Sequence, residues 1–371
     1  MSITSSSIFI TICISSLLII ALNYFISKTN KFKIFRTDFF TFLIVIIILK
    51  LMFPIELFFT KTIPASTIMN PIFSLLNYEL ITGVTVQQII LLIWLCGIIV
   101  FGKKFVQQII VSYRIANRIH KKSSCYKASE LLSNYEGKDY LIMISDLVSS
   151  PMVFGLNKII FLPNIKFSQI DLNNIVLHEI QHIKNHDVFI KLFLNIIVII
   201  YWWFPPIYLL QKNMSLFLEI RVDDQVTKTM SSDSRFNYAE SLISVQKAIR
   251  NTNSNYKELV FSSFINDSAE ILSYRVNYLL DGNFIKKTNS IFLALLCILP
   301  FLSNMIILEP AFYNTEIIEG TLTNDELKKG YITAHSDGTY SLTINGETVE
   351  IGKRIPNDLI DLPVIDENER K

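Results

Sequence analysis

His178-Glu179-Ile180-Gln181-His182-Ile183-Lys184-Asn185-His186-Asp187 is the stretch on which the reading of this chain turns. It contains H-E-x-x-H. On an α-helix residues four apart share a face, so His178 and His182 can take adjacent corners of a zinc tetrahedron while Glu179 faces the water position. That is the core of a metallopeptidase site. The same few letters also arise by chance, and a short His- and Glu-rich helix is often only a solvated face. The flanking sequence has to decide between these readings.

The motif ends a helical period over 168–187, with Ser168 or Asp171 as caps. Ahead of it, 140–145 and 158–162 are short, rich in Ile and Phe, and bounded by Asp146, Pro151 and Pro163, which predicts strands. The second is expected at a sheet edge, where an extended substrate could add as a further strand, with a plain core strand as the alternative. Behind the motif, 188–204 is apolar, Pro205-Pro206 breaks it, and 207–218 is apolar again. A third zinc ligand must come from the next acidic residues, in Glu219-Ile220-Arg221-Val222-Asp223. For Glu219 to return to the side of His182, the run has to fold into a membrane-embedded hairpin near 188–210, with the prolines at its tip. A continuous helix would cover about 35 Å from His182 to the prolines but only about 20 Å on the return to Glu219. A bend or loss of helix between Asn195 and Phe204 is therefore predicted.

The 371 residues are 51% apolar and 18% charged, with a mean hydropathy of +0.41, which points to membrane integration. Apolar runs at 3–26, 39–59, 86–101 and 291–308 are read as spans. Lys50 and Glu56 in the second can snorkel or pair within a bundle. Lys28, Lys31, Lys33 and Arg36 follow the first span, Lys103, Lys104, Arg114, Arg118, Lys121 and Lys122 follow the third, and Lys286 and Lys287 precede the last. The positive-inside rule places these flanks, and the zinc site between them, on the cytoplasmic side of the membrane, with the N-terminus and C-terminal tail outside. The expected organisation is three spans over 1–102, a cytoplasmic zinc peptidase domain over 103–289, a last span at 290–308 and a small β tail over 309–371. In that tail, 331–351 alternates around Asp337-Gly338 and Asn345-Gly346, the pattern of a three-stranded meander. His335, on one of its strands, reads as a surface histidine. Cys13, Cys96, Cys125 and Cys297 form no C-x-x-C pair, so neither a disulfide framework nor a thiolate site is expected. A net charge of +2 suggests no direct nucleic-acid surface.

Four ordered motifs carry a resemblance. They are Ser150-Pro151-Met152-Val153-Phe154-Gly155-Leu156-Asn157-Lys158-Ile159-Ile160-Phe161-Leu162-Pro163, then the His178–Lys184 segment, then Tyr201-Trp202-Trp203-Phe204-Pro205-Pro206, then Glu219-Ile220-Arg221-Val222-Asp223. In order and spacing the chain resembles, over roughly 39–308, the membrane metallopeptidase family of the beta-lactam-sensing antirepressors, the BlaR/MecR type. Tyr238-Ala239-Glu240 and the stretch around Arg275 resemble it more weakly. The resemblance implies a multi-pass α-helical protein of the bacterial cytoplasmic membrane with a cytoplasmic α+β gluzincin-type zinc peptidase domain. It also implies activation by an external signal and cleavage of the protein itself or of a cytoplasmic repressor, a winged-helix protein being the expected partner. The S-x-x-K matches at Ser124/Lys127, Ser244/Lys247 and Ser254/Lys257 lie on the cytoplasmic side with no K-T-G after them. The tail is expected to be too short for a penicillin-binding sensor.

Zinc chemistry then distributes roles. His178, His182 and Glu219 supply three ligands and leave a fourth position for water, the open arrangement of a catalytic Zn2+ site. Glu179 serves as general base and then acid. Asp223, one turn after Glu219, is placed to accept from the outer ring nitrogen of a ligand histidine, or else is a helix-surface carboxylate beside Arg221. His186 continues the i+4 row, but three successive turns do not converge on one metal. Tyr201, Arg221, Tyr238 and Arg275 all remain open as oxyanion stabilisers. The expected function is signal transduction by a membrane zinc endopeptidase. A constitutive quality-control protease and a non-catalytic signalling protein are the alternatives.

Overall fold

The computed structural model describes residues 4–27, 37–54, 60–81, 83–132, 135–155, 157–252, 269–280 and 305–310, and in the tail 330–335, 338–344, 346–352 and 362–366, with a few single residues besides. They divide into two units, Met1–Ala311 and Phe312–Lys371.

In the first unit, runs of Ile, Leu and Phe without a polar stop form long helices. Helix α1 (Ser5–Ser27) packs on α2 (Thr37–Met52), with Ile19, Leu22 and Ile26 against Phe39, Phe40, Leu43 and Ile47. Between α2 and the next long helix lie β1 (Lys61–Pro64), α3 (Ser66–Asn77), β2 (Glu79–Ile81) and β3 (Val84–Thr85). Helix α4 (Val86–Lys121) opens on a capping box, in which the Thr85 hydroxyl accepts from the Gln88 amide and the Gln88 side chain accepts from the Thr85 amide. Its 36 residues make one rod of about 54 Å, so the span expected at 86–101 continues unbroken into the α+β part. Helices α1 and α4 are long and apolar enough to cross a membrane, while α2 is shorter.

The sheet that follows contains β4 (Ser124–Lys127), which leads into α5 (Ala128–Leu131), then β5 (Leu141–Ser145), β6 (Met152–Phe154) and β7 (Ile159–Pro163), in the order β4-β5-β7-β6. Strands β5 and β7 are parallel, and the two outer pairings are antiparallel. This corrects the edge position expected for 158–162. Strand β7 is interior, with Ile160, Phe161 and Leu162 at most 1% exposed, and β4 and β6 are the terminal strands. The cause is visible in composition. A strand covered on both faces reads as an unbroken apolar run rather than an alternation. Ile160 and Leu162 face one helix layer, while Phe161 faces the other with Ile115 and Ile119 of α4.

Helix α6 (Gln169–Lys184) covers the first face through Ile175, Val176, Ile180 and Ile183. Of the two cap options, Ser168 holds the position, its hydroxyl accepting from the Asp171 amide at 3.1 Å. The chain then breaks at Asn185-His186, where His186 adopts φ +58°, and restarts as α7 (Asp187–Ile200). A second break over Tyr201–Phe204 falls inside the predicted window, and Pro206 opens α8 (Pro206–Thr227). The first break was not expected, and it resolves the mismatch of lengths. Helix α7 is about 21 Å long and the return from Pro206 to Glu219 about 20 Å, so the two arms match. Helices α9 (Ser232–Thr252) and α10 (Ala269–Leu280) complete the bundle around α8.

The final span expected at 290–308 is mostly outside the described residues. Its end is strand: β8 (Ile306–Glu309) pairs in parallel with β1. The basic loop 28–36, Glu56, Ser254 and Lys257, Lys286 and Lys287, Cys297, Asp337 and Asn345 also lie outside the described residues. In the tail unit, β9 (Tyr331–Ala334), β10 (Tyr340–Ile344) and β11 (Glu347–Gly352) form the expected meander, and β12 (Val364–Asp366) adds in parallel to β9 as a fourth strand. Gly338 and Gly346 take φ +82° and +90°, the left-handed backbone of such tight turns. His335 is half-buried there, with Nε2 2.8 Å from the Ser341 hydroxyl.

Candidate metal centre

Five helices assemble the site. With Val176, Ile180 and Ile183 committed to the sheet, His178, Glu179 and His182 of α6 lie toward α8. That helix is buried nearly all round, through Ile207, Leu210, Met214, Phe217, Ile220 and Val222. Its carboxylates therefore need partners at close range.

Both histidines turn Nε2 inward. The two Nε2 atoms are 3.1 Å apart, His178 Nε2 is 3.2 Å from Glu219 Oε2, and His182 Nε2 is 3.5 Å from Glu219 Oε1. The outer nitrogens are occupied. His178 Nδ1 lies 2.9 Å from the Tyr238 hydroxyl and 3.2 Å from Asp223 Oδ1. The Tyr238 hydroxyl donates to Asp223 Oδ1 at 2.8 Å, so it is free to accept the Nδ1 hydrogen, which leaves the lone pair on Nε2. His182 Nδ1 donates to Asp187 Oδ2 at 2.6 Å, and Arg221 donates to the other oxygen of Asp187. Arg275 clamps Asp223 with two donors, at 2.8 and 2.9 Å, and places Nη1 3.3 Å from Glu219 Oε2.

The electrostatics follow from burial and this pairing. Burial pushes the Asp223 carboxyl up, but the Arg275 guanidinium and the His178 hydrogen bond outweigh it and hold it at about 2. Burial opposes a charge on His182, yet the Glu219 carboxylate and the hydrogen bonds from Asp187 and Glu219 raise it to about 10. Burial likewise raises the Tyr238 hydroxyl, and Asp223 beside it adds to the shift, so it stays a donor. The pocket between the two rings thus favours positive charge.

The donor set fits a small divalent cation. Ligand atoms of His178, His182 and Glu219 all lie within 4.8 Å of one another. Two nitrogens at corners of a zinc tetrahedron, each about 2.0–2.1 Å from the ion, are about 3.3 Å apart, and the three observed separations bracket that value. Beside the cluster lies a cavity of about 400 Å³. It is lined by Glu179 and by apolar groups that include Met152, Phe154, Val188, Leu192 and Leu242.

The site residues named from the sequence are thus brought together. Asp223 is 0% exposed, which excludes the surface carboxylate beside Arg221; that arginine pairs with Asp187 instead. His186 sits at the break between α6 and α7, outside the cluster. Among the four oxyanion options, Tyr201 donates to the Leu51 carbonyl at 2.7 Å, far from the site, and Arg221 lies behind Asp187. Tyr238 and Arg275 remain at the cluster. Sequence reasoning gave Asp187 no role. The one available signal was Asn185-His186, a pair that tolerates the turn on which the position of Asp187 depends.

A helix bearing H-E-x-x-H, crossed by a second helix that presents Glu219, beside a small mixed sheet and in a chain with membrane-length apolar helices, is an arrangement that could hold a metal ion as a peptidase does. The chain belongs to the BlaR1 peptidase M56 family, whose sequence profile matches residues 1–278. Among curated proteins it is similar to the regulatory protein BlaR1 of Bacillus licheniformis, 32% identical over 122 residues, which are 32% of this chain and 20% of that protein. It is 26% identical to the regulatory protein BlaR1 of Staphylococcus aureus over 230 residues, 59% of this chain and 38% of the relative. The methicillin resistance mecR1 protein of Staphylococcus epidermidis is 27% identical over 165 residues, 43% of this chain and 28% of the relative. The chain thus covers well under half the length of each of these relatives.

Proposed function

We propose that this chain is a membrane zinc endopeptidase that transduces an extracytoplasmic signal by cleaving itself, a cytoplasmic transcriptional repressor, or both. The observation that carries this reading is the convergence of both Nε2 atoms and the Glu219 carboxylate beside Glu179 and the cavity. Family membership supports the peptidase class, and the likeness to regulatory proteins supports a regulatory role.

In this reading His178, His182 and Glu219 hold zinc, which when bound supplies Lewis-acid polarisation of the attacking water and the scissile carbonyl. Glu179 takes a proton from that water and hands it to the amide nitrogen as the carbon–nitrogen bond breaks. Asp223 and Tyr238 keep His178 in the tautomer with a free Nε2 lone pair. Strand β6, terminal in the sheet and part of the cavity wall, takes over the substrate-aligning role first expected of β7. The basic residues Lys103, Lys104, Arg114 and Arg118 along α4 favour a cytoplasmic site, with the tail outside to meet the signal.

The test is Glu179→Ala in membranes, with a co-expressed winged-helix repressor as substrate. Self-cleavage and repressor fragments are expected to fall by about 10²-fold or more while zinc is retained. Unchanged processing with zinc still bound would defeat the reading.

A further inference from the structure

We propose that Asp187, backed by Arg221, is the positioning residue of the second histidine: it fixes the tautomer and ring plane of His182 and so sets how tightly the site holds its metal. The inference rests on the zinc reading above and assigns it a residue that the motif does not contain.

The placement of Asp187 is not what a helix would give. In an unbroken α-helix, five residues carry a side chain about 140° round from its starting face, so Asp187 could not meet His182. The left-handed turn at His186 swings it back, and Oδ2 comes to 2.6 Å from His182 Nδ1. Asp187 is 1% exposed, too deep for an anion without partners, and both of its oxygens are used: one on Nδ1, the other on Arg221 of α8. A carboxylate accepts only, so Nδ1 keeps its hydrogen, and Nε2, directed at His178 and Glu219, is the nitrogen that gives up its proton when a metal binds.

The origin of this support is also informative. Asp187 heads α7, the outgoing arm of the hairpin, and the tip of that hairpin is docked on α4. Trp94 Nε1 donates to the Ile200 carbonyl at 2.8 Å, Trp202 Nε1 to the Trp94 carbonyl at 3.3 Å, and Trp202 stacks on Phe101 with centroids 5.6 Å apart. His182 is therefore oriented from the outgoing arm, α7, whereas the partners of His178 come from the returning arm, α8, and from α9 and α10.

The full chain in detergent is titrated with Zn2+ against a chromophoric chelator, and the Co2+-loaded protein is read by visible absorption. Asp187→Asn, which can offer an amide donor where only an acceptor stood, is expected to weaken Zn2+ binding about 10- to 100-fold and to change the Co2+ spectrum. Without metal it should still unfold cooperatively, at a lower midpoint because Arg221 loses its partner, so the loss of affinity is read on folded protein. Asp187→Glu, which restores a carboxylate, is expected to bind more tightly than Asp187→Asn. Zn2+ affinity of Asp187→Asn within about twofold of the parent would overturn the proposal and leave the peptidase reading standing, whereas no Zn2+ binding by the parent would overturn both. Should Asp187→Asn fail to fold, Arg221→Gln keeps the carboxylate and removes its backing. A loss of about 3- to 10-fold is then expected, and unaltered binding would overturn the proposal.

Discussion

His178 and His182 are one helical turn apart and point the same nitrogen at the same place, yet they are held by different means. His178 leans on residues up to 97 positions away: Asp223, Tyr238 and Arg275, from three separate helices. Its support is a closed network in which Asp223 is 0% exposed and accepts from three donor groups. His182 leans on a carboxylate five residues away, whose own partner Arg221 has an 18% exposed side chain. The first histidine is set by the returning arm, α8, with α9 and α10, and the second by the head of the outgoing arm, α7. The difference teaches that a two-histidine motif is not a symmetric clamp, and that the two halves can be loosened separately.

If the His178 network is the more deeply buried one, removing its cation should be the most damaging change. Arg275→Met leaves Asp223 and Glu219 close together without their shared guanidinium, and a loss of about 3–5 kcal/mol is expected in denaturant unfolding. A loss no larger than that of Arg221→Gln would break the comparison. Tyr238→Phe comes next. It deletes one donor to Asp223 and the acceptor for His178 Nδ1, and about 1–3 kcal/mol should be lost in the same assay. Because Arg275 still holds Asp223, the double variant should show strong coupling rather than simple addition.

The smallest effect is expected at the hairpin tip. A Cβ added at Gly97 would come within 2.1 Å of the Trp202 indole, so Gly97→Ala must displace that ring. A loss of about 1–2 kcal/mol is expected, with a change in tryptophan fluorescence. Adding Trp202→Ala should remove the clash and most of the fluorescence change. Full Zn2+ affinity in Gly97→Ala would show that α7 holds Asp187 in place even when the tip shifts.

Much of this was legible because it is local. Helical spacing places His178 and His182 on one face whatever the surroundings, and the length of each apolar run determines how far it can reach. The mismatch between the two hairpin arms was enough to require a break, and one lies at Tyr201–Phe204. Strand β7 was misplaced even though its own composition carried the answer, since Ile159-Ile160-Phe161-Leu162 has no polar face to offer an edge. Strands β4 and β6 were missed because four and three residues are too short to show a period. Strand β12 joins β9 in parallel from a distant part of the tail, and no pattern within its three residues announces that partner.

The sequence by itself determined which side chains could act on a metal: two histidines, a carboxylate between them and a returning helix with Glu219 and Asp223, all at spacings set by 3.6 residues per turn. Only the tertiary structure decided what stands behind them. Tyr238 and Arg275 reach His178 and Asp223 through packing between helices far apart in the chain, and Asp187 reaches His182 through one left-handed residue. Helical period reports direction within an element, but a contact across a break or between elements depends on where the neighbouring backbone lies.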